Sequence, residues 1–265
     1  MHPDVAFSIS QFQGAWRVFC RACPDRQLVA FEGLDMIFSG LPIGFFNVGI
    51  VTGDSVSRPQ LEAWCGRACE WAAPSGLPWL FVVTHEALSP GIDANEVLDD
   101  CGLTPILPLT GMRTAHVTEP VRVVSGLDIS VAEDRPACEA AFAINAAAYA
   151  AQLDACKPVF GEPSFWADQV LSLGRSDGQF VASTAVLMVD GYRYVAMVAT
   201  LPDFQRRGYA EAVMRHALDR ASERFGNQPT VLHATEAGRP IYERMGYATI
   251  ASHTAYLEKR FLDGH

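Results

Sequence analysis

Residues 202–218 (PDFQRRGYAEAVMRHAL) constrain the fold most, because they place a change from strand to helix beside two arginines. The apolar run Tyr192–Thr200 before them predicts a strand, and apolar residues at helical spacing predict a helix that begins near Gly208. The first amides of a helix have no partner within the helix and lie at the positive end of its dipole, so they favour an anion. Glycine lets the backbone approach a bulky ligand closely. The segment therefore predicts a pyrophosphate site, with an ordinary exposed turn as the alternative.

Two short motifs carry a resemblance to a known family. The run QRRGYA at 205–210 resembles the Gln/Arg-x-x-Gly-x-Gly/Ala signature of the GCN5-related N-acetyltransferases (GNAT). The run ATEAGRPIYERMGY at 234–247 is similar to the strand, short helix and Tyr-Glu-x-x-Gly-aromatic ending of the same family. The two motifs occur in the family's order, after an apolar strand. The resemblance implies an α/β fold with a mixed sheet and an acyltransferase activity.

The resemblance also implies a co-substrate, acetyl-coenzyme A (acetyl-CoA). It would lie in a V-shaped opening between two parallel strands, Tyr192–Thr200 and residues 230–235. Its pantetheine arm would pair with strand backbone, and its pyrophosphate would lie on the amides of the following loop. The implied binding residues are Val198, Ala199, Thr200, Gln205, Arg206, Arg207, Gly208, Tyr209, Ala210 and Thr235. Thr235 stands where many relatives carry asparagine, but threonine also caps a helix, so the change concerns cofactor contacts and not the fold.

The same resemblance implies that Tyr242 is the catalytic residue, a general acid that protonates the departing thiolate. A phenol, with a reference pKa of ~10, is neutral at physiological pH and can donate a proton. The implied reaction is direct attack of an uncharged amine on the thioester, with a backbone N–H near Val198 stabilising the oxyanion. Packing beneath the sheet is the structural alternative for Tyr242.

Two further roles stay open. The candidates for the base that deprotonates the amine are Glu133, Glu162, Glu236 and His233. The region that forms the acceptor site in this family contributes the aromatic residues Tyr149, Phe160 and Trp166. Core packing explains these aromatic residues equally well.

The chain of 265 residues is long for one domain of this family, so it allows two. A linker at 118–120 predicts domains at 1–118 and 119–265. The first half repeats runs of the second: HEA at 85–87 matches TEA at 235–237, and LDDCGL at 98–103 matches YERMGY at 242–247. Leu98 replaces the tyrosine, and the loop at 53–59 lacks the arginine pair. We therefore predict two tandem GNAT-like domains, the first degenerate and without acetyl-CoA; an unrelated α/β domain is the alternative.

Periodicity and turn residues predict the order of elements. Asp177-Gly178 and Asp190-Gly191 predict hairpin turns. The predicted helices are at 59–71, 136–151, 165–172, from 208 and around 240–246. The predicted strands are at 45–52, 79–84, 104–117, 121–125, 179–189, 192–200, 230–235 and 247–257.

Charge and hydropathy exclude several classes. A net charge of −10 argues against a nucleic-acid partner. No apolar run reaches the ~18 residues that span a bilayer, and the N-terminal residues lack an export signal, so we expect a cytoplasmic protein without a membrane partner. Cys20 and Cys23 have the spacing of a metal or redox pair, but no second pair or nearby histidine accompanies them, so we expect reduced thiols and no metal.

The motifs leave the reaction partner open. The expected partner is a primary amine of a small molecule or peptide, and the oligomeric state is not fixed. An acyltransferase with another acyl donor or acceptor would keep the same motifs. A non-catalytic protein that senses acyl-CoA or a small amine is the alternative from another class.

Overall fold

The structure, a computed structural model, describes residues 1–121, 123–149 and 151–264. The α-helices are α1 Pro3–Cys20, α2 Arg58–Ala72, α3 Ala94–Asp100, α4 Arg135–Tyr149, α5 Lys157–Phe160, α6 Tyr209–Phe225 and α7 Arg239–Arg244. The strands are β1 Gln27–Phe31, β2 Leu34–Phe38, β3 Asn47–Val51, β4 Leu80–Thr84, β5 Leu103–Thr114, β6 Asp128–Val131, β7 Val170–Ser176, β8 Gln179–Val189, β9 Tyr192–Thr200, β10 Thr230–Ala234 and β11 Ala248–Glu258. The predicted mixed α/β fold is confirmed.

The chain forms two compact units. Unit 1 contains Met1–Met112, His233–Pro240 and the described residues from Ala248 onward. Unit 2 contains Arg113–Leu232 and Ile241–Tyr247. Unit 1 therefore includes β11, which comes late in the sequence. The division into homologous domains at residue 118 stays a prediction, because a compact unit and a homologous domain need not have the same bounds.

The hairpins of unit 2 form at the two Asp-Gly pairs. Asp177 and Asp190 have φ of 50° and 46°, and Gly178 and Gly191 follow with 81° and 80°. Two successive residues with positive φ make a type I′ turn, whose twist matches that of paired strands. β8 accordingly pairs antiparallel with both β7 and β9. The strands of unit 2 lie in the order β10, β9, β8, β7, β6, with β9 and β10 parallel.

Helix α6 covers one stretch of this sheet. Its buried residues recur at helical spacing and include Val213, Met214, Ala217 and Ala221. They pack on β7, β8 and β9, and α4 also packs on β8 and β9. The packing fixes the start of α6 relative to the carboxyl end of β9.

Unit 1 has a comparable arrangement. Its strands lie in the order β1, β2, β3, β4, β11, β5, and β3 is parallel to β4. Trp79, Phe81, Leu61 and Tyr256 are fully buried in its core. Each unit thus has a strand, a helix and a second, parallel strand. In each repeat a glycine with positive φ lies two residues after the end of the short helix that follows, Gly102 at 83° and Gly246 at 89°.

Two predicted elements are wrong. The sequence predicts a helix at 165–172. The structure instead has a short 3-10 helix over Pro163–Asp168, and β7 begins at Val170. Pairing with β6 and β8 overrides the short apolar pattern, which does not distinguish strand from helix. Residues 121 and 123–125 are outside any strand, and Val123 is 93% exposed; residue 122 lies outside the described residues. The first strand of unit 2 is instead β6.

Candidate functional site

Strand β9 carries a bulge close to its carboxyl end. Ser183 of β8 pairs with Ala199, whereas Ala185 pairs with Ala196. Between these pairs β9 therefore has one residue more than β8, which is the definition of a β-bulge. Met197 lies within the bulge and has φ of 53°. Such a conformation is uncommon for a residue with a side chain and marks a site that its surroundings hold in place.

The parallel pairing of β9 stops before the bulge. Its register with β10 ends at Val195 and Leu232, although β9 continues to Thr200. Thr200 is 8% exposed, and its hydroxyl has no hydrogen-bond partner among the described residues. A buried hydroxyl without a partner costs about 1–3 kcal/mol. Strand backbone beyond the end of a register can pair with an extended ligand that has amide groups.

The loop that follows β9 presents backbone amides. Arg206 has φ of 62°, and Gly208, the N-cap of α6, has φ of 88° and ψ of 5°. The amide of Ala212 donates to the Gly208 carbonyl at 3.1 Å, so the amides of residues 209–211 precede the helical hydrogen bonds. Left-handed residues in a loop turn successive amides toward one side and form a concave anion site.

Side chains of the loop support this backbone. Arg206 and Arg207 are exposed. The Arg207 guanidinium lies 4.9 Å from the centroid of the Phe204 ring and donates to the Asp203 carbonyl at 3.0 Å. Gln205 donates through Nε2 to the Thr200 carbonyl at 3.3 Å. The two arginines place positive charge beside the amides, as an anion site requires.

Two other predicted binding residues have structural contacts. Tyr209 is buried, and its hydroxyl lies 3.4 Å from the Ser176 hydroxyl. Thr235 belongs to unit 1, where its hydroxyl accepts from the Gly238 amide at 3.3 Å in the turn before α7. Ala210 is half-buried in the first turn of α6.

Tyr242 lies in the part of α7 that belongs to unit 2 and is 7% exposed. Burial raises the pKa of its phenol well above the usual range, and the nearby phenols of Tyr149 and Tyr247 raise it further. The phenol is therefore neutral and protonated at physiological pH. Pro240 lies in the first turn of α7 and Gly246 follows its end, as the sequence indicates.

Helix α4 supplies side chains to the bulge that the sequence did not single out. Asn145 is 4% exposed and donates through Nδ2 to the Ser183 hydroxyl at 3.0 Å. The Ser183 hydroxyl donates to the Met197 carbonyl at 3.2 Å. The Tyr149 hydroxyl donates to the Val198 carbonyl at 2.9 Å. The sequence signal that could have identified Asn145 is its amide side chain on the apolar face of an alanine-rich helix.

The base candidates have different surroundings. Glu133 and Glu236 are exposed. Glu162 forms an ion pair with Arg135. His233 belongs to unit 1, where its Nε2 lies 3.0 Å from the Ser8 hydroxyl, and burial lowers its pKa well below the usual value. These contacts do not single out one of the four as the base.

The corresponding loop of unit 1 differs from the loop before α6. The Ser57 amide donates to Gln60 Oε1 at 3.0 Å, and Pro59 has no amide to offer. Arg58 pairs with three carboxylates, those of Glu62, Glu96 and Asp100. A Cβ on Gly53 would lie 2.3 Å from the Trp64 ring, so this ring covers the loop. The Ser57 amide and the Arg58 guanidinium are thus already engaged, so the start of α2 does not favour an anion.

Comparison with known proteins finds similarity to acetyltransferases. Residues 167–258 match the Acetyltransferase (GNAT) domain. A GCN5-related N-acetyltransferase from Kribbella flavida is 22% identical with a TM-score of 0.71, over 97% of this chain and 96% of its own. A functionally unknown conserved protein from Staphylococcus epidermidis is 15% identical with a TM-score of 0.62, over 89% and 94%. A GCN5-related N-acetyltransferase from Sphaerobacter thermophilus is 12% identical with a TM-score of 0.58, over 94% and 91%.

The matched domain is of the acetyltransferase class. The match to the GNAT domain covers residues 167–258, and the fold of the chain resembles these structures over nearly its whole length. Curated protein sequences gave no match. No helix in the described ranges has the length and hydropathy to cross a membrane. Within the same ranges, no group of three or more His, Cys, Asp or Glu residues could hold a metal ion.

Proposed function

We propose that the protein is an N-acetyltransferase that moves an acetyl group from acetyl-CoA to a primary amine of a small molecule or peptide. The observation that carries this proposal is the bulge at Met197, followed within the same unit by the amide-rich loop at Arg206 and Gly208. The first feature suits a thioester and its pantetheine arm, and the second suits a pyrophosphate. The family supports acyl transfer, and the acetyl group and amine belong to the proposal.

Backbone groups would make most contacts with the co-substrate. Val198, Ala199 and Thr200 would pair with its extended arm, and the buried Thr200 hydroxyl would gain a partner there. The amides of residues 206–210 would bind the pyrophosphate, with the two exposed arginines beside them. Thr235 stays a predicted contact.

The chemistry requires a proton donor and an oxyanion donor. Acetyl-CoA would supply the acyl group as an activated thioester. Tyr242 would donate the proton to the thiolate, since burial keeps its phenol protonated. The Val198 amide would stabilise negative charge on the acyl oxygen. The amine nitrogen would bond to the acyl carbon as the C–S bond breaks, and its proton would pass to one of the four base candidates or to water.

The first domain, residues 1–118, would be a degenerate GNAT-like copy that binds no acetyl-CoA. Its counterpart loop has an amide already bonded at Ser57, a proline at 59 and Arg58 engaged by three carboxylates. Leu98, on α3, has no group that could donate a proton.

A thiol-release assay tests the proposal. The protein is incubated with acetyl-CoA and a panel of amines, amino acids and peptides, and free thiol is measured over time. We expect release with at least one amine, and loss of release in Tyr242→Phe. Tight acetyl-CoA binding by calorimetry without release for any acceptor would contradict the enzyme and favour the sensor.

A further inference from the structure

A buried hydrogen-bond chain lies directly beside the bulge of β9. It runs from the Ala141 carbonyl through Asn145 Nδ2 (2.8 Å) to the Ser183 hydroxyl (3.0 Å) and on to the Met197 carbonyl (3.2 Å). Asn145 Nδ2 also lies 3.5 Å from the Met197 carbonyl. Asn145 is 4% exposed and Ser183 is fully buried. The chain thus connects α4 and β8 to one peptide of β9.

The direction of this peptide follows from its planarity. In a trans peptide the carbonyl and the following N–H point in opposite directions. The Met197 carbonyl points toward the Ser183 hydroxyl and the Asn145 amide, so the Val198 N–H points away from these two side chains. The register of β9 with β10 ends at Val195, three residues before Val198.

A second contact from α4 holds the next peptide. The Tyr149 hydroxyl donates to the Val198 carbonyl at 2.9 Å. Tyr149 and Asn145 are four residues apart on α4, so they lie on the same face of the helix. One helix face therefore supports two successive carbonyls of the bulge, where the strained φ of Met197 needs support from its neighbours.

We infer that Asn145 and Ser183 are positioning residues, which hold the peptide between Met197 and Val198 so that the Val198 N–H faces the acyl oxygen. The inference rests on the proposed function. Neither side chain touches the substrate in this scheme; both act through the peptide that they bind. An amide in this position stabilises charge that develops during the reaction, and misdirecting it lowers the rate more than the affinity.

The test uses the full chain with two variants and a matched control. Ser183→Ala removes the hydroxyl, and Asn145→Asp keeps the shape but removes the donor. The control is Ser172→Ala, because Ser172 is also fully buried in the same sheet and bonds to His216 at 3.0 Å, away from the bulge. Each protein is loaded with acetyl-CoA labelled with ¹³C at the acyl carbonyl, and the infrared band of this carbonyl is recorded.

We expect the wild type and Ser172→Ala to shift the carbonyl band to lower frequency, and both bulge variants to return it toward the value in solution. Calorimetry should give dissociation constants for acetyl-CoA within about threefold of the wild type, and kcat should fall by about 10- to 100-fold, below the ~10²–10³ of a lost oxyanion donor. Ser183→Thr should restore the band and the rate.

Two results overturn the inference, and they differ. If the wild type binds no acetyl-CoA, the proposed function fails and the inference fails with it. If the wild type binds and shifts the band, but both bulge variants keep the wild-type band and rate, the proposed function stands and the positioning role is wrong.

Discussion

Gly208 has a left-handed backbone, with φ of 88° at the N-cap of α6. The sequence analysis assigns this glycine to the close approach of a ligand to the backbone. The sequence also predicts a helix that begins near Gly208, and the structure makes this glycine the N-cap, outside the first helical turn. A β-branched residue at positive φ is strained, whereas asparagine tolerates this conformation. Substitution of Gly208 by asparagine and by valine therefore separates intrusion of a side chain on the ligand from strain of the backbone.

We expect Gly208→Asn to weaken acetyl-CoA binding with little change in the melting temperature, because it adds a side chain without severe strain. Gly208→Val should lose both binding and stability. Arg207→Ala should weaken binding less, by roughly 10- to 150-fold, as a charge-assisted hydrogen bond contributes about 1.5–3 kcal/mol. Calorimetry and thermal melting measure both quantities. Wild-type affinity in Gly208→Asn would remove the pyrophosphate assignment.

Tyr242→Phe should lower turnover by about 10²–10⁴-fold, the usual contribution of general acid catalysis, while acetyl-CoA affinity changes little. Tyr247→Phe is the control, since it removes a neighbouring buried phenol that bonds to the Thr230 hydroxyl at 2.9 Å. Steady-state kinetics with an active acceptor and calorimetry give the two values. Equal turnover in wild type and Tyr242→Phe would make Tyr242 structural.

Local sequence predicted the elements whose causes are local. The Asp-Gly pairs predicted both hairpins, and the short helix around Tyr242 had a proline in its first turn and a glycine after its end. β7 was missed because its apolar residues become a strand only through pairing with β6 and β8. The notable omissions in the site, Asn145 and Ser183, are 38 residues apart, and their shared partner is a carbonyl, which has no sequence signal.

In unit 1, four elements share a buried polar chain. The Ser8 hydroxyl of α1 lies 3.0 Å from His233 Nε2 on β10 and 2.9 Å from His253 Nε2 on β11. His253 Nδ1 lies 2.9 Å from the Thr84 hydroxyl on β4. Burial lowers the pKa of His253 to about 3, helped by His85. These elements are therefore packed around neutral imidazoles.

The buried hydrogen-bond chain around His253 predicts that acid destabilises the folded protein. Between pH 6.5 and pH 3 the unfolded protein binds a proton on His253 that the folded protein does not. The contribution of neutral His253 to the free energy of unfolding is therefore fully present above pH 6.5 and is lost as the pH is lowered. The loss attributable to His253 by pH 5 is about 2 kcal/mol. Urea unfolding at pH 7.5 and pH 5 should show a smaller loss in His253→Gln than in wild type. The exposed His116→Gln should behave as wild type, and equal losses in all three proteins would contradict the prediction.

At the scale of the whole molecule, the two repeated helix starts differ: in the described residues, two exposed arginines precede α6, whereas the arginine at the start of α2 is bound by three carboxylates. We therefore expect calorimetry on the intact chain to give one acetyl-CoA per chain. An Arg206→Ala variant should weaken this binding, whereas Arg58→Ala, which removes a guanidinium bound by three carboxylates, should not. A second site, or binding lost only with Arg58, would contradict the assignment to the second half.

The inclusion of β11 in unit 1 has a consequence for synthesis on the ribosome. β11 lies between β4 and β5, yet its residues, Ala248–Glu258, are translated after all the strands of unit 2. Domains made from one continuous stretch can fold in order as they emerge. Here β4, an apolar strand of the amino-terminal unit, lacks its β11 partner until residues 248–258 have been translated and have left the exit tunnel.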